Sequence, residues 1–475
     1  LAGTILGGQL ASKNMIESYG HWPIAIGIVA AASIGLFFAF FIPHAAPTNP
    51  QQQIEINPVK ETWRTMKLAF INSHVRFAIF GISWFWFYGF FFMASLPSYC
   101  RDALAGDEVV ASMLLTAISI GMGLGSVLCN KLSQGVIHLG LVVTSAFGLG
   151  IFGCDLYFNG ITHQLPAGQY LSFTEFIAVP ANWRALFDLM GIGVFGGMYI
   201  VPLYTLMQKH APKVYASQIV ASNNIWNALF MVSAALVAML LFALKLTILQ
   251  IFLVVASVNF FIALYLLIKG PQHFYLIMFN VLFRAIYRIK VKGREYLPDS
   301  GPVLVVANHV SFIDPLLLCA ALDRPPRFMM DKSYYDWKIL RWFFTTSRSI
   351  PVTPKKIDPQ LMEWALQQVV DGLNRGEMIA IFPEGFITKD GEMIDFKDGL
   401  ERIAQKVPEL KVVPVAIKGM WGSWFSRYSG RALKGRAPKR FWAKLEIEIG
   451  QTHQGPAIQA QALQKTVRDL RGNFL

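Results

Sequence analysis

Charge is what this chain has least of: only 15% of its 475 residues are Asp, Glu, Lys or Arg. An average soluble chain carries about 25%. With 54% of the residues hydrophobic, part of this one must lie in lipid. Cysteine is nearly absent too. Cys100, Cys129, Cys154 and Cys319 are scattered, with no CxxC pair and no Cys/His ligand set. That pattern excludes a disulfide framework or a zinc site, and no metal or cofactor is expected. The four read as small buried apolar residues. The sequence has no basic n-region with a cleavage site, so Leu1 does not open a signal peptide. Leu1 stands inside an apolar segment, and the chain reads as a fragment of a longer one.

The charge that is present is unevenly placed. Residues 1–269 hold 12 Lys/Arg and 9 Asp/Glu, whereas residues 270–475 hold 30 and 20. The basic excess, part of a net +13, therefore falls on the polar second half. Basic surface beside a membrane segment points to anionic lipid or an acidic partner rather than nucleic acid.

Seven stretches are long and apolar enough to span a bilayer: roughly 22–43, 76–98, 109–129, 136–158, 185–208, 217–243 and 247–268. Residues 1–12 look like the end of an eighth. Loops on one side carry Lys60, Arg64, Lys67, Lys131, Lys209, Lys213 and Lys269. The opposite loops carry Lys13, Arg101, Arg184 and Lys245 beside Asp102, Asp107, Glu108 and Glu175. The cation-rich side is expected in the cytoplasm, and residues 270–475 with it.

Glycines cluster inside the spans at Gly121/Gly123/Gly125 and Gly191/Gly193/Gly196/Gly197. The second cluster matches GxGxxG in letters. Its place in an apolar span favours close helix packing over nucleotide binding. Gln208, Asn223, Asn224 and Asn227 are amides at or within spans. Amides in hydrocarbon either bond between helices or line a substrate path, and both readings stay open here.

Three segments carry a resemblance. Gly196–Leu203 (GGMYIVPL), Ala221–Ile225 (ASNNI) and Ser83–Phe87 (SWFWF) resemble lysophospholipid transporters of the major facilitator superfamily. The resemblance covers roughly residues 1–268 and implies a partial major facilitator fold, spans five to twelve of twelve. The long loop 44–75, with an amphipathic Val59–Phe70 stretch, would then link the two six-helix halves.

Beyond Gly270-Pro271 the pattern changes. Phe274–Lys292 interleaves apolar residues with Arg284, Arg288, Lys290 and Lys292, which predicts an interfacial helix, or else a helix packed onto the domain, within a linker at 269–298. Strand signals follow at Val303–Ala307, Met378–Phe382, Val412–Ile417 and Leu445–Ile449, with an amphipathic helix at Gln360–Arg375. This is an α/β pattern, set at residues 299–455, with a C-terminal helix within 456–475. Pro414 interrupts its strand and predicts an edge or a bulge.

The Val303–Ala307 strand ends at Asn308, then His309, with Asp314 five positions on. A histidine at a strand end with a carboxylate nearby suits a general base and its orienting partner. Alone the spacing is weak. With Phe382-Pro383-Glu384-Gly385 and Val413-Pro414-Val415 in this order, residues 275–455 resemble the glycerolipid acyltransferases typified by 1-acylglycerol-3-phosphate acyltransferases. The resemblance implies His309 as the base and Asp314 as its partner. It implies Glu384 as an acceptor-binding or site-shaping residue, or a carboxylate that steadies the turn. The oxyanion would be met by backbone N–H groups near the FPEG turn. No GxSxG elbow is present, which favours direct transfer over an acyl-enzyme.

The family's phosphate-holding arginines are absent from the second block (Ser349–Lys356) and from Phe386-Ile387-Thr388 after FPEG. Lys355, Lys356, Lys389 and Lys397 are the nearby cations. Lysine lacks arginine's planar two-point grip on phosphate. The pattern therefore looks more like 2-acylglycerophosphoethanolamine acyltransferases, whose acceptor keeps a head group. The expected reading is a bacterial inner-membrane acyltransferase. It would move an acyl group from acyl-ACP or acyl-CoA to a lysophospholipid that the membrane half supplies. Alternatives are a lysophosphatidic acid acceptor, a transporter with a non-catalytic lipid-binding domain, and a membrane half that serves only as an anchor. A basic run from Arg427 to Lys444 is either a solvated face or a contact for anionic lipid or acyl carrier protein.

Overall fold

The computed structural model describes residues 13–42, 56–133, 138–159, 169–322, 324–428, 442–454 and 458–473, with positions 7, 10, 166 and 430. The chain divides into two compact units, Leu1–Lys269 and Gly270–Leu475.

In the first unit, long apolar runs form helices long enough to cross hydrocarbon at 1.5 Å per residue, even where Pro97 and Pro202 lie inside them. They are α1 (Trp22–Ala39), then, after the short α2 (Pro58–Lys67), α3 (Ser73–Asp102), α4 (Glu108–Ser133), α5 (Leu139–Phe158), α6 (Asn182–His210), α7 (Ala216–Ala243) and α8 (Ile248–Lys269). The seven expected spans are all there among the described residues. The expected eighth, residues 1–12, falls almost wholly outside them. Asn57 caps α2, its side chain accepting from the Val59 and Lys60 N–H groups. The Met66 carbonyl then accepts from Trp226 Nε1 at 3.2 Å, which docks the end of α2 on α7.

Glycine sets the closest helix contact. A Cβ on Gly121 or Gly125 would collide with the carbonyl oxygens of Met190 or Val194 in α6. A Cβ on Gly193 or Gly197 would collide with those of Ile118 or Met122 in α4. The obstacles are backbone atoms, so neither helix can yield without separating. The GxGxxG letters are thus a packing seam. Arg184 grips Asp155 through two bonds of 2.5 and 3.0 Å, joining the end of α5 to the start of α6.

The second unit is a three-layer α/β structure. Its helices of six residues or more are α9 (Pro271–Ile286), α10 (Asp314–Cys319), α11 (Arg341–Thr346), α12 (Pro359–Asn374), α13 (Gly399–Lys406) and α14 (Ala460–Arg471), with a single turn at Lys332–Tyr335. Its strands are β1 (Arg288–Lys292), β2 (Val303–Ala307), β3 (Arg327–Asp331), β4 (Ile350–Val352), β5 (Met378–Ile381), β6 (Lys411–Lys418), β7 (Lys444–Ile449) and β8 (His453–Gln454). The sheet order is β1-β7-β6-β2-β5-β3-β4, with β8 beside β6. Strands β6, β2, β5, β3 and β4 run parallel, while β7 and β8 lie antiparallel to β6.

All five residues of β2 are buried, because both faces of the sheet are covered. Val303, Val305 and Ala307 enter a core with α9 and α10. Leu304 and Val306 enter the opposite core with α12, α13 and α14. The two-residue alternation of a strand makes this division.

Two expectations about local structure change. The helix expected over Phe274–Lys292 ends at Ile286, and Arg288–Lys292 is strand β1, parallel to β7. The segment RIKVK alternates basic and apolar, a period of two that a helix cannot use. One face of α9, with Tyr275, Leu276, Phe279 and Phe283, is buried in the domain core. The opposite face leaves Met278, Val281 and Leu282 exposed. Second, of the edge or bulge expected at Pro414, the edge is excluded, since β6 is paired on both sides, and the bulge is present, since Val413 and Pro414 face three partner residues, 450–452. The partner strand breaks between β7 and β8 opposite it, where the Gly450 N–H donates to the Pro414 carbonyl at 2.8 Å. The interruption expected of proline is met by a gap in the neighbour.

Candidate active site

Strands β2 and β5 lie side by side and parallel, so the segments leaving their C-terminal ends meet. Crevices at such ends are where open α/β sheets bind ligands. Asn308 ends β2 and clamps it to β6. Its Nδ2 donates to the Ile417 carbonyl at 3.0 Å, and its Oδ1 accepts the Ile417 N–H at 2.7 Å. His309 follows on a fixed base.

His309 is held by both its ring and its backbone. Asp314 Oδ2 lies 2.9 Å from Nδ1. Phe382 stacks on the imidazole with centroids 4.2 Å apart. The Glu384 carboxylate accepts the His309 backbone N–H at 2.8 Å, and the His309 carbonyl accepts from the Thr388 N–H at 3.1 Å. Asp314 is fully buried, and its oxygens also accept from Val310 N–H (2.6 Å), Ser311 N–H (2.8 Å) and Ser311 Oγ (2.5 Å). An ionised carboxylate only accepts, so Nδ1 carries the hydrogen in this pair. The Nε2 lone pair is then left unprotonated, and no hydrogen bond engages it among the described residues.

Glu384 is buried in the turn after β5, with its second oxygen accepting the Ile394 N–H at 2.9 Å. Burial, helped by the Asp314 charge, pushes its carboxyl up to about 7 against the pull of the two backbone N–H groups. Its two oxygens tie the His309 loop to the 391–396 loop. That loop is itself braced by α14. Arg471 donates to the Gly391 carbonyl and the Glu392 carboxylate, and Gln464 bonds the Phe396 N–H and Asp395.

Gly385 completes the turn at φ +75°, donating its N–H to the Phe382 carbonyl at 3.0 Å. That N–H is therefore taken up by the turn and does not face an oxyanion. A Cβ here would collide with Lys397 Nζ. The Lys397 ammonium sits 4.7 Å from the centre of the Phe386 ring, while its backbone N–H bonds the Pro383 carbonyl. Lys355 and Lys356 are exposed beyond the end of β4. They share the sheet edge with His309 but stand three strands away, roughly 14 Å at normal strand spacing. Pro414 is buried in mid-strand opposite Val306, below the strand ends. Arg427 lies over the Phe312 ring at 5.9 Å and Lys444 is exposed at the start of β7, while Arg431, Lys434, Arg436, Lys439 and Arg440 lie outside the described residues.

Asn308, Ser311 and Thr388 were not singled out by the sequence reading. A polar residue at the end of an otherwise apolar strand was the available signal for Asn308. Ser311 and Thr388 had none, because their partners are set by loop geometry.

In the first unit, Asn227 is buried and accepts from Ser83 Oγ at 2.9 Å, an interhelical bond. Asn223 is buried, with Nδ2 3.4 Å from Asn224 Oδ1. Gln208 and Asn224 are exposed.

Residues 288–418 match the family model described as Acyltransferase. The chain is 31% identical over 134 residues to the chloroplastic 1-acyl-sn-glycerol-3-phosphate acyltransferase LPAT1 of Arabidopsis thaliana, covering 28% of this chain and 36% of that protein. It is 25% identical over 228 residues to the lysophospholipid transporter LplT of Escherichia fergusonii, covering 47% of this chain and 51% of the other. The crystal structure of the 1-acyl-sn-glycerophosphate acyltransferase PlsC from Thermotoga maritima matches 44% of this chain and 79% of its own, at 23% identity and a TM-score of 0.33. The chain thus spans between about a third and a half of the length of these two curated relatives. It joins an acyltransferase-family domain, residues 288–418, to a helical membrane half similar to lysophospholipid transporters.

Proposed function

We propose that this chain acylates a lysophospholipid at the face of a bacterial inner membrane, with the membrane half bringing the lysolipid inward. The observation that carries the reading is the bond between His309 Nδ1 and Asp314 Oδ2, which leaves Nε2 as a base. Nε2 takes the proton of the acceptor hydroxyl as its oxygen attacks the carbonyl carbon of acyl-ACP or acyl-CoA. Asp314 stabilises the imidazolium that forms. The tetrahedral intermediate collapses, the C–S bond breaks, and the imidazolium returns the proton to the departing thiolate. Phe382 and the Glu384 clamp keep the ring aimed throughout, and Lys397 is the cation nearest the turn for an acceptor phosphate.

The acceptor we favour is lysophosphatidylethanolamine, because the arginines that grip a phosphomonoester in the family it resembles are absent from those two places, with lysines only nearby. The relative named for 1-acyl-sn-glycerol-3-phosphate favours lysophosphatidic acid as the second reading. Competition between the two acceptors on the full chain in proteoliposomes, with acyl-ACP as donor, separates them. Preferential consumption of lysophosphatidylethanolamine supports the first reading. Preference for lysophosphatidic acid overturns it. The same vesicles, loaded with external lysolipid and no donor, test transport by the membrane half against anchoring alone. The charge bias of the loops supports a cytoplasmic second unit.

A further inference from the structure

Large apolar side chains are gathered on one exposed segment of the second unit. Trp337, Ile339 and Trp342 are 57%, 78% and 62% exposed, with Leu340 between them. Single exposed hydrophobes are ordinary, but a cluster with two tryptophans marks a contact surface. The segment from Tyr334 to Trp342 carries a net charge of +1: Lys338 and Arg341 stand against Asp336, which pairs with Lys332.

The fold says what covers it. Helix α11 is fixed to the first turns of α9. Tyr275 packs on Phe343 at 4.8 Å and on Trp342 at 6.1 Å. Its hydroxyl lies 2.8 Å from Thr346 Oγ1, and Gln272 Nε2 donates to the Thr346 carbonyl at 3.2 Å. Only Gly270 separates α9 from α8, which ends at Lys269. Tyr275 is six residues beyond that end, about 9 Å along a helix. If α8 crosses the bilayer, α11 is held within reach of its surface by covalent geometry alone. The other end of the segment reaches the site: Tyr334 meets Phe312, in the loop between His309 and Asp314, at 5.8 Å.

We propose that the segment from Tyr334 to Trp342 docks on the head-group layer of an anionic bilayer. Tryptophan suits that layer because its ring is apolar and its N–H remains wet. Lysine and arginine beside it add attraction to anionic lipid. Docking here delivers the His309 loop to lipids that never leave the membrane. The inference rests on α8 being a membrane span, and does not require the acyl-transfer reading.

The test uses the full chain with Cys154→Ser and Ile339→Cys, labelled with an environment-sensitive fluorophore. It is reconstituted in phosphatidylethanolamine–phosphatidylglycerol vesicles. Glu409→Cys, exposed at the opposite edge of the sheet, is the reference site. The label at 339 is expected to be quenched by doxyl-labelled lipid at least about fivefold more than the label at 409, and protected from iodide. Quenching of both sites by iodide alike overturns the proposal. So does protection of 339 from both quenchers, which would mean that protein covers it. Failure of acyl transfer in the same vesicles would leave this readout unaffected, so the two proposals fail separately.

Discussion

Asp314 Oδ2 accepts three hydrogen bonds at once, from His309 Nδ1 at 2.9 Å and from the N–H groups of Val310 and Ser311 at 2.6 and 2.8 Å. The carboxylate therefore sets the shape of the loop as well as the tautomer of the ring. Asp314→Asn places an amide where these donors converge, and its NH2 group cannot accept from any of them. Acyl transfer is expected to fall by about 10³–10⁴, as when the equivalent carboxylate of a serine protease triad is replaced. Single-turnover acyl transfer by folded protein checks this. A loss below tenfold would mean that the ring needs no orienting partner.

Glu384 predicts a pH dependence of stability. Its carboxyl is pushed up to about 7 in the folded chain, above the ordinary 4.5. A folded value above the unfolded one means that the folded state holds the proton more tightly. Its contribution is fully present below pH 4.5 and is lost as pH rises through 7. Glu384→Gln cannot titrate, so the stability difference between wild type and variant should narrow steadily across that window. Denaturation midpoints at several pH values measure it. A pH-independent difference would contradict the assignment.

The glycine seam predicts a sharp contrast within one helix. Gly125→Val sets a side chain against the Val194 carbonyl, whereas a Cβ on Gly123 meets nothing within 4 Å. Gly125→Val should lower the yield of folded, monodisperse protein severely. Gly123→Ala should be neutral within about 0.5 kcal/mol. Size-exclusion profiles and thermal unfolding in detergent compare them. Equal tolerance at both positions would contradict the close approach of α4 and α6.

How much of this was legible in the sequence depends on the range of the interaction. The spans, the buried strand Val303–Ala307 and the helix beginning near Gln360 follow from local periodicity, and the structure has them. The five-residue spacing from His309 to Asp314 lets one short loop close their bond, so it too could be anticipated. Strand β1 is five residues long, and its period of two is too short to stand apart from the helix it follows; its parallel pairing with β7, over 150 residues away, makes it a strand. The Asn308–Ile417 clamp spans 109 residues and the Glu384–His309 bond 75. No local pattern reports such partners. The same holds for Pro414, whose accommodation depends on a break in another strand.

The most direct test of the central claim is acyl transfer by the full chain in proteoliposomes, with acyl-ACP and lysophosphatidylethanolamine, comparing wild type with His309→Ala. Loss of the general base alone should cost about 10²–10⁴ in rate, with the protein still folded. Full activity in His309→Ala would contradict the account.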